Sequence, residues 1–179
     1  EYMNNSPIGV FDSGVGGLTV AREIMRELPD ESIVYFGDTA RVPYGSKSRE
    51  TVTTFSKQII RFLKTKDVKA IVIACNTASA FALHEVAKDA DIPIIGVIEP
   101  GAKTANDVTE NGRVGIIATE GTVRSGTYEK VLKNINPNLK VFLKACPLFV
   151  PLVEEGWRYD SVTYEVADRY LNDIMTYDI

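Results

Sequence analysis

The chain has 179 residues, of which 45% are apolar and 25% are charged, and its formal net charge at pH 7 is −4. This composition is that of a globular protein large enough to form one large domain or two small ones. The charges are interspersed and no apolar run approaches the roughly 20 residues that cross a bilayer, which excludes a nucleic-acid partner and a membrane-spanning protein.

Short apolar segments alternate with longer amphipathic ones in the first half of the chain. Their spacing predicts strands at residues 8–11, 33–36, 70–74 and 94–98, and helices through residues 18–28, 52–62 and 81–87. Between them, residues 37–48 are rich in Gly, Pro and Ser and are too long for a simple connection. We therefore expect residues 37–48 to form a functional loop.

The alternation continues to the end of the chain. It predicts helices at residues 101–111, 123–135 and 161–175, strands at 114–118 and 141–143, and a loop with a helical turn at 147–156. About six strand–helix alternations imply an α/β fold with mostly parallel sheets flanked by helices and right-handed crossovers. The segment Glu99-Pro100-Gly101 is the best boundary, which predicts domains at residues 1–98 and 99–179.

Polar side chains follow most of the predicted strands. In open α/β sheets, ligands bind outside the carboxyl ends of the strands. The residues at those ends are Asp12, Ser13, the loop 37–48, Cys75, Asn76, Thr77, Glu99, residues 119–122 and Cys146. We therefore expect a carboxylate, a thiol, an amide and several hydroxyls to converge on one edge.

Cys75 is the strongest candidate for chemistry. It ends an apolar strand and precedes a helix, and a helix N-terminus lowers the pKa of a thiol. The alternative is a buried cysteine that packs as a small apolar side chain. Asn76 and Thr77 favour a functional role, because they supply hydrogen-bond donors for a carboxylate or an oxyanion.

Two turns add candidate ligand contacts. Asp12 and Ser13 lie in a Gly-rich turn whose backbone N–H groups can approach an anion, although Asp12 could simply cap the next helix. This turn matches neither the dinucleotide nor the P-loop pattern. In the loop, Pro43 and Gly45 flank Tyr44 and hold its hydroxyl in a defined turn, unless Tyr44 only packs there.

The two cysteines, Cys75 and Cys146, have neither a disulfide-framework nor a zinc-site spacing. We therefore expect reduced thiols, no bound metal and a cytoplasmic protein. Cys146 precedes Pro147 and is expected to pack rather than react, and His84 is assigned no catalytic role.

Six segments together resemble the glutamate racemases of the aspartate/glutamate racemase superfamily. They are IGVFDSGVGGLTV, YFGDTARVPYGSKS, IVIACNTASA, PIIGVIEPG, VGIIATEGTVRSGTYEK and ACPLFVPLVEEG, in that order. The resemblance covers residues 7–179. DSGVGG and ACNTA mark the superfamily, whereas PYG and PLVEEG favour its glutamate branch.

The resemblance implies interconversion of L- and D-glutamate without pyridoxal phosphate or metal, which supplies D-glutamate for peptidoglycan. One thiolate removes the α-proton and a second thiol protonates the opposite face. Cys75 would be one acid/base, assisted by Asp12, and Glu154 would orient the second half of a site that lies between two similar α/β domains. The substrate-binding residues it implies are Asp12, Ser13, Pro43, Tyr44, Gly45, Asn76, Thr77, Thr119 and Thr122. A homodimer is compatible with the resemblance.

One departure from the family pattern is serious. Members carry the second cysteine in a Gly-Cys-Thr-His segment, and nothing in the 179 residues matches it. Cys146 stands in Ala-Cys-Pro, which matches a non-catalytic part of the pattern. We therefore expect a chain that is incomplete at its C-terminal end and inactive alone.

Two alternatives stay open at this point. The first is another enzyme of the superfamily, such as an aspartate racemase or a decarboxylase with one cysteine. The second is a non-catalytic module that binds a small acid or a protein partner. Substrate preference distinguishes the first alternative from a glutamate racemase. The reactivity of the Cys75 thiol distinguishes the second alternative from an enzyme.

Overall fold

The structure of the chain is a computed structural model that describes residues 5–88 and 90–179. The chain divides into two compact units, one that ends at Val97 and one that comprises Ile98–Ile179. Each unit contains its own parallel sheet with helices packed against it.

The first unit is built on a four-stranded sheet with the strand order β2-β1-β3-β4, in which every neighbouring pair is parallel. The strands are β1 (Ile8–Asp12), β2 (Ile33–Gly37), β3 (Ala70–Ile73) and β4 (Ile94–Gly96). All five residues of β1 are buried, because β1 pairs with a strand on each side. This burial explains its continuous apolar sequence.

Three helices connect these strands: α1 (Leu18–Glu27), α2 (Arg49–Lys64) and α3 (Asn76–Ala87). The N-terminus of α2 is capped by Ser48, whose side chain accepts a hydrogen bond from the Thr51 N–H at 3.1 Å. The buried face of α2, which includes Ile59 and Leu63, joins Phe11 and Ile71 in one hydrophobic core. This core holds β1 and β3 rigidly under α2 and α3.

The second unit contains a two-stranded parallel sheet of β5 (Arg113–Ala118) and β6 (Lys140–Ala145). Its helices are α4 (Ile98–Val108), α5 (Glu120–Ser125), α6 (Thr127–Ile135), α7 (Phe149–Glu154) and α8 (Ser161–Met175). A smaller core of Ala102, Val114, Leu132 and Leu139 packs between the sheet and α4 and α6.

Two predicted elements differ from the structure. The strand predicted at residues 94–98 ends at Gly96, and Ile98 already begins α4. Pro100 lies inside the first turn of α4 and does not mark a boundary before it. Proline is tolerated there because a backbone N–H in the first turn has no partner within the helix. The helix predicted at 123–135 is two helices, since Gly126 has φ +66° and ends α5.

The predicted α/β class, with parallel sheets flanked by helices, is confirmed. Within residues 5–88 and 90–179, no helix is both long enough and apolar enough to cross a lipid bilayer.

The core of the first unit gives a stability prediction. Ile71 is fully buried in β3, whereas Ile95 in the neighbouring strand β4 is 53% exposed. We expect Ile71→Ala to lower the free energy of unfolding by about 2–5 kcal/mol, because it leaves a cavity in the core. The matched variant Ile95→Ala should change it by only about 0.5 kcal/mol. Urea unfolding followed by circular dichroism measures both, and equal effects would contradict this description of the core.

Candidate active site at the carboxyl edge of the first sheet

The parallel register of β1 brings three strand ends together. Phe11 is in register with Ile73 of β3, and Asp12 is in register with Gly37 of β2. Two further backbone bonds continue the ladders past the strands: Ala74 N–H donates to Phe11 O at 2.8 Å, and Asp38 N–H donates to Asp12 O at 2.9 Å. The residues after β1, β2 and β3 therefore lie side by side, as the sequence predicted for Asp12 and Cys75.

The turn after β1 is held by the Asp12 carboxylate. Asp12 is buried, and its Oδ2 accepts a hydrogen bond from the Gly14 N–H at 2.9 Å. Helix α1 begins after Gly17 and has no side-chain cap. The alternative in which Asp12 caps this helix is therefore wrong.

Two glycines allow the close packing of this turn. A Cβ atom at Gly17 would lie 2.5 Å from Asp12 Cβ and 2.9 Å from Ala74 Cβ. A Cβ atom at Gly37 would lie 2.6 Å from Gly14 O. Both positions require glycine because the backbone passes too close to its neighbours for any side chain.

Cys75 lies at the N-terminus of α3, as predicted. Its Sγ accepts a hydrogen bond from the Ala78 N–H at 3.4 Å and therefore caps the helix. The same sulfur lies 3.6 Å from Ser13 Oγ in the turn after β1. The thiol, the hydroxyl and the Asp12 carboxylate form one cluster at the edge of the sheet.

The helix N-terminus stabilises the Cys75 thiolate as expected, but the net pKa of Cys75 is raised, contrary to the prediction from sequence. Burial raises the pKa of the Cys75 thiol, and the negative charge of Asp12 raises it further. The Ala78 N–H and Ser13 oppose these effects by stabilising the thiolate, but burial outweighs them. The thiol is therefore mostly protonated at neutral pH until its surroundings change.

The hydroxyl of Tyr44 is engaged by a buried carboxylate. Tyr44 is 1% exposed, and its hydroxyl donates a hydrogen bond to Asp38 Oδ2. Burial, together with this bond, raises the pKa of Tyr44 well above its usual range. The turn of residues 43–45 therefore presents the exposed Pro43, the buried Gly45 and backbone groups, rather than the phenol.

Two polar residues at the start of α3 flank the thiol. Asn76 is exposed, and Thr77 is 2% exposed. Both follow Cys75 in the first turn of α3, where backbone N–H groups have no partner within the helix. The first turn of α3 therefore places an amide, a hydroxyl and backbone N–H groups next to the thiol, at the end of a helix that favours anions.

Sequence patterns missed two charged residues of this edge. Asp38 directly follows β2, beside Asp12 at the end of β1, and Arg41 donates to both Asp38 carboxylate oxygens from Nε, at 3.0 Å and 2.7 Å. The signal was present in the strand-end position of Asp38, which was treated only as part of a loop.

The candidates of the second unit lie at the ends of β5 and β6. Thr119 caps α5, and its Oγ1 lies 3.0 Å from Thr122 Oγ1. Cys146 N–H donates to Ala118 O at 2.8 Å, and the Cys146 side chain is buried. Glu154 is the half-buried last residue of α7. Glu99, expected at a strand end, lies instead in the first turn of α4.

Metal ligands are not assembled at either edge. In the part of the chain that the structure describes, no group of three or more His, Cys, Asp or Glu side chains could hold a metal ion.

A family model described as Asp/Glu/Hydantoin racemase matches residues 8–156, which include the whole of this edge. The chain belongs to this racemase family.

Individual members of the racemase family are closely similar to the chain. A glutamate racemase of Geobacter metallireducens is 58% identical over 167 residues, which are 93% of this chain and 62% of that protein. One from Trichormus variabilis is 49% identical over 179 residues, 100% of this chain and 61% of that protein. The chain therefore spans less than two thirds of the length of these relatives.

Solved structures of racemases share the fold. The crystal structure of glutamate racemase isoform RacE1 from Bacillus anthracis has a TM-score of 0.90 and 47% identity, covering 94% of this chain and 64% of that one. The glutamate racemase of Francisella tularensis, solved in complex with D-glutamate, has a TM-score of 0.85 and 46% identity. The match covers 94% of this chain and 63% of that one.

The geometry of Cys75 predicts how its reactivity depends on pH. Because the Asp12 charge raises the pKa of the thiol, Asp12→Asn should lower that pKa and speed alkylation at pH 7.5 by about three- to tenfold. Iodoacetamide labelling followed by peptide mass mapping measures the rate at Cys75 across pH. Asp91→Asn, at an exposed ion pair with Lys64, is the matched control and should leave the rate unchanged. Slower labelling of Asp12→Asn would contradict the assigned electrostatics.

The close approach at Gly17 predicts a packing defect. Gly17→Ala should lower the free energy of unfolding by about 1–3 kcal/mol, because the new methyl group must displace Asp12 or Ala74. Gly112→Ala is a useful comparison, since Gly112 has φ +72° but no atom near the added methyl group. Thermal unfolding measures both variants. Only Gly17→Ala should also change the labelling rate of Cys75, and an unchanged rate would contradict the proposed contact.

Proposed function

We propose that the chain provides one catalytic half of a cofactor-independent glutamate racemase, with Cys75 as an acid/base at the α-carbon. The observation that carries this proposal is the cluster at the edge of the first sheet, where Cys75 Sγ lies 3.6 Å from Ser13 Oγ beside the buried Asp12. The high identity to proteins named glutamate racemase supports the choice of substrate.

The cluster suits proton transfer at a carbon atom. An α-proton of an amino acid is a weak acid, so its removal requires a base that lies against it and donors that stabilise the developing negative charge. Cys75 would supply the base, while Asn76, Thr77 and the first turn of α3 would bind a carboxylate of the substrate. Ser13 and residues 43–45 would line the other side of the substrate-binding site.

The raised pKa of Cys75 is compatible with this role. When the substrate binds, its α-ammonium group places a positive charge beside Asp12, and this charge offsets the carboxylate that disfavours the thiolate. Asp12 would assist Cys75 in this way through its charge and its contact with the ammonium group. The thiolate would form only in the complex, where the α-proton is within reach.

Inversion requires a second acid on the opposite face of the substrate. We propose that this group is not among the 179 residues. Cys146 is a poor candidate because it is 2% exposed, burial raises its pKa, and its Sγ lies 3.7 Å from Lys144 O. In this proposal Glu154, Thr119 and Thr122 contribute to the second half of the site and do not replace the missing acid.

The biological setting is also a proposal. A protein that racemises glutamate would supply D-glutamate for peptidoglycan and act in the cytoplasm, where its thiols stay reduced. A homodimer remains compatible with the family membership.

A non-catalytic module that binds a small acid is the second candidate function. The burial of the Cys75 thiol and its raised pKa favour this candidate, because they reduce the thiolate population of the free protein. Proton exchange separates the two candidates.

The deciding experiment follows L- and D-glutamate in deuterated water by NMR and by chiral chromatography. We expect the 179-residue polypeptide not to racemise either enantiomer. A chimaera that continues with the remaining residues of the Geobacter metallireducens relative should racemise both, and Cys75→Ser in that chimaera should reduce the rate by at least about 10³-fold. Racemisation by the short polypeptide would contradict the missing second acid. A folded but inactive chimaera that binds glutamate would favour the binding module.

A further inference from the structure

The loop that precedes α2 is tied to the candidate site by a buried carboxylate. Asp38 is 5% exposed, and its backbone N–H donates to Asp12 O at 2.9 Å, directly at the end of β1. The position of Asp38 relative to Asp12 is therefore set by the sheet itself.

The Asp38 side chain has two partners on the loop. Arg41 Nε lies 3.0 Å and 2.7 Å from its two oxygens, and the Tyr44 hydroxyl donates to Oδ2. A buried carboxylate is costly unless it is paired and hydrogen-bonded, and these two partners satisfy it.

Arg41 connects this pair to α2. Its NH1 group donates to Gln58 Oε1 at 2.6 Å, and its guanidinium carbon lies 4.1 Å from the centre of the Phe55 ring. The Tyr44 ring packs on the same phenylalanine, with the ring centres 5.6 Å apart. The arginine is thus held by charge, hydrogen bonding and stacking at once.

These contacts determine what the turn of residues 43–45 can offer a ligand. The phenol of Tyr44 is directed to Asp38, Gly45 has no side chain, and Pro43 has no N–H. A contact of this turn with an anion would therefore be made by its backbone, whose position depends on where the Tyr44 ring is held.

We propose that Asp38 is a positioning residue for the proposed glutamate site: held by Arg41, it binds the Tyr44 hydroxyl and fixes the turn of residues 43–45 beside the end of β1. This inference rests on the proposed function, and it adds residues that do not touch the substrate. Loss of the hydrogen bond between Asp38 and Tyr44 should weaken glutamate binding while leaving the environment of the Cys75 thiol unchanged.

The test measures protection of Cys75 by glutamate in the 179-residue polypeptide. Iodoacetamide labelling of Cys75, read by peptide mass mapping, is followed at increasing concentrations of L- and D-glutamate. Tyr44→Phe and Asp38→Leu should raise the half-protecting concentration about tenfold, because each leaves a buried polar group without its partner. Asp38→Leu should label within about twofold of the wild-type rate without glutamate, because Asp38 is not among the groups that shift the pKa of Cys75.

Two further variants separate positioning from general stability. Asp38→Asn keeps an acceptor for Tyr44 and should stay within about threefold of the wild-type half-protecting concentration. Asp91→Asn removes an exposed ion pair of the same unit and should match the wild type. Thermal unfolding of each variant identifies any that does not fold, and Tyr44→Phe decides the question if Asp38→Leu unfolds.

The outcomes are distinct. If glutamate protects the wild type and Tyr44→Phe equally, the positioning role of Asp38 is wrong while the proposed function stands. If glutamate does not protect the wild type at all, the proposed function fails and this inference fails with it. A shift in protection without a change in the unprotected rate supports the inference.

Discussion

The central constraint on the site is the parallel pairing of β1 with a strand on each side. Because β2 and β3 run in the same direction as β1 and in fixed register, all three end at the same edge. The ladder continues through Asp38 N–H and Ala74 N–H, so Asp38 and Cys75 are delivered to opposite flanks of Asp12. A shift of one residue in either register would reverse the side-chain directions and separate the carboxylate from the thiol.

In the free protein, burial determines the direction in which the pKa of the Cys75 thiol is shifted. The first turn of α3 and Ser13 stabilise a thiolate at Cys75, whereas desolvation and Asp12 destabilise it more. A thiol with a raised pKa is protonated at neutral pH. In the proposed function, the ammonium group of the substrate would supply the missing charge when a base is needed, which would link binding to activation.

The sequence predicted what depends on local patterns. Helix α8 was predicted at residues 161–175 and has those bounds, because its apolar spacing and its cap at Asp160 are local signals. The predicted end of β4 was wrong because a proline such as Pro100 is compatible both with a loop and with the first turn of a helix. Asp38 was treated only as part of the loop 37–48, since its hydrogen bonds to Asp12, Arg41 and Tyr44 form only in the folded chain. The pKa direction of Cys75 was wrong for the same reason, because burial is a tertiary property.

The most direct measurement is a titration of the isotopically labelled 179-residue polypeptide with D-glutamate, observed through its backbone amide NMR signals. If the edge of the first sheet is a glutamate site, the amides of Gly14, Gly45, Asn76 and Thr77 should shift together with one saturation curve. Amides on the opposite edge of that sheet should stay in place. Shifts confined to other parts of the chain, or none at saturating glutamate, would contradict a glutamate site at Cys75.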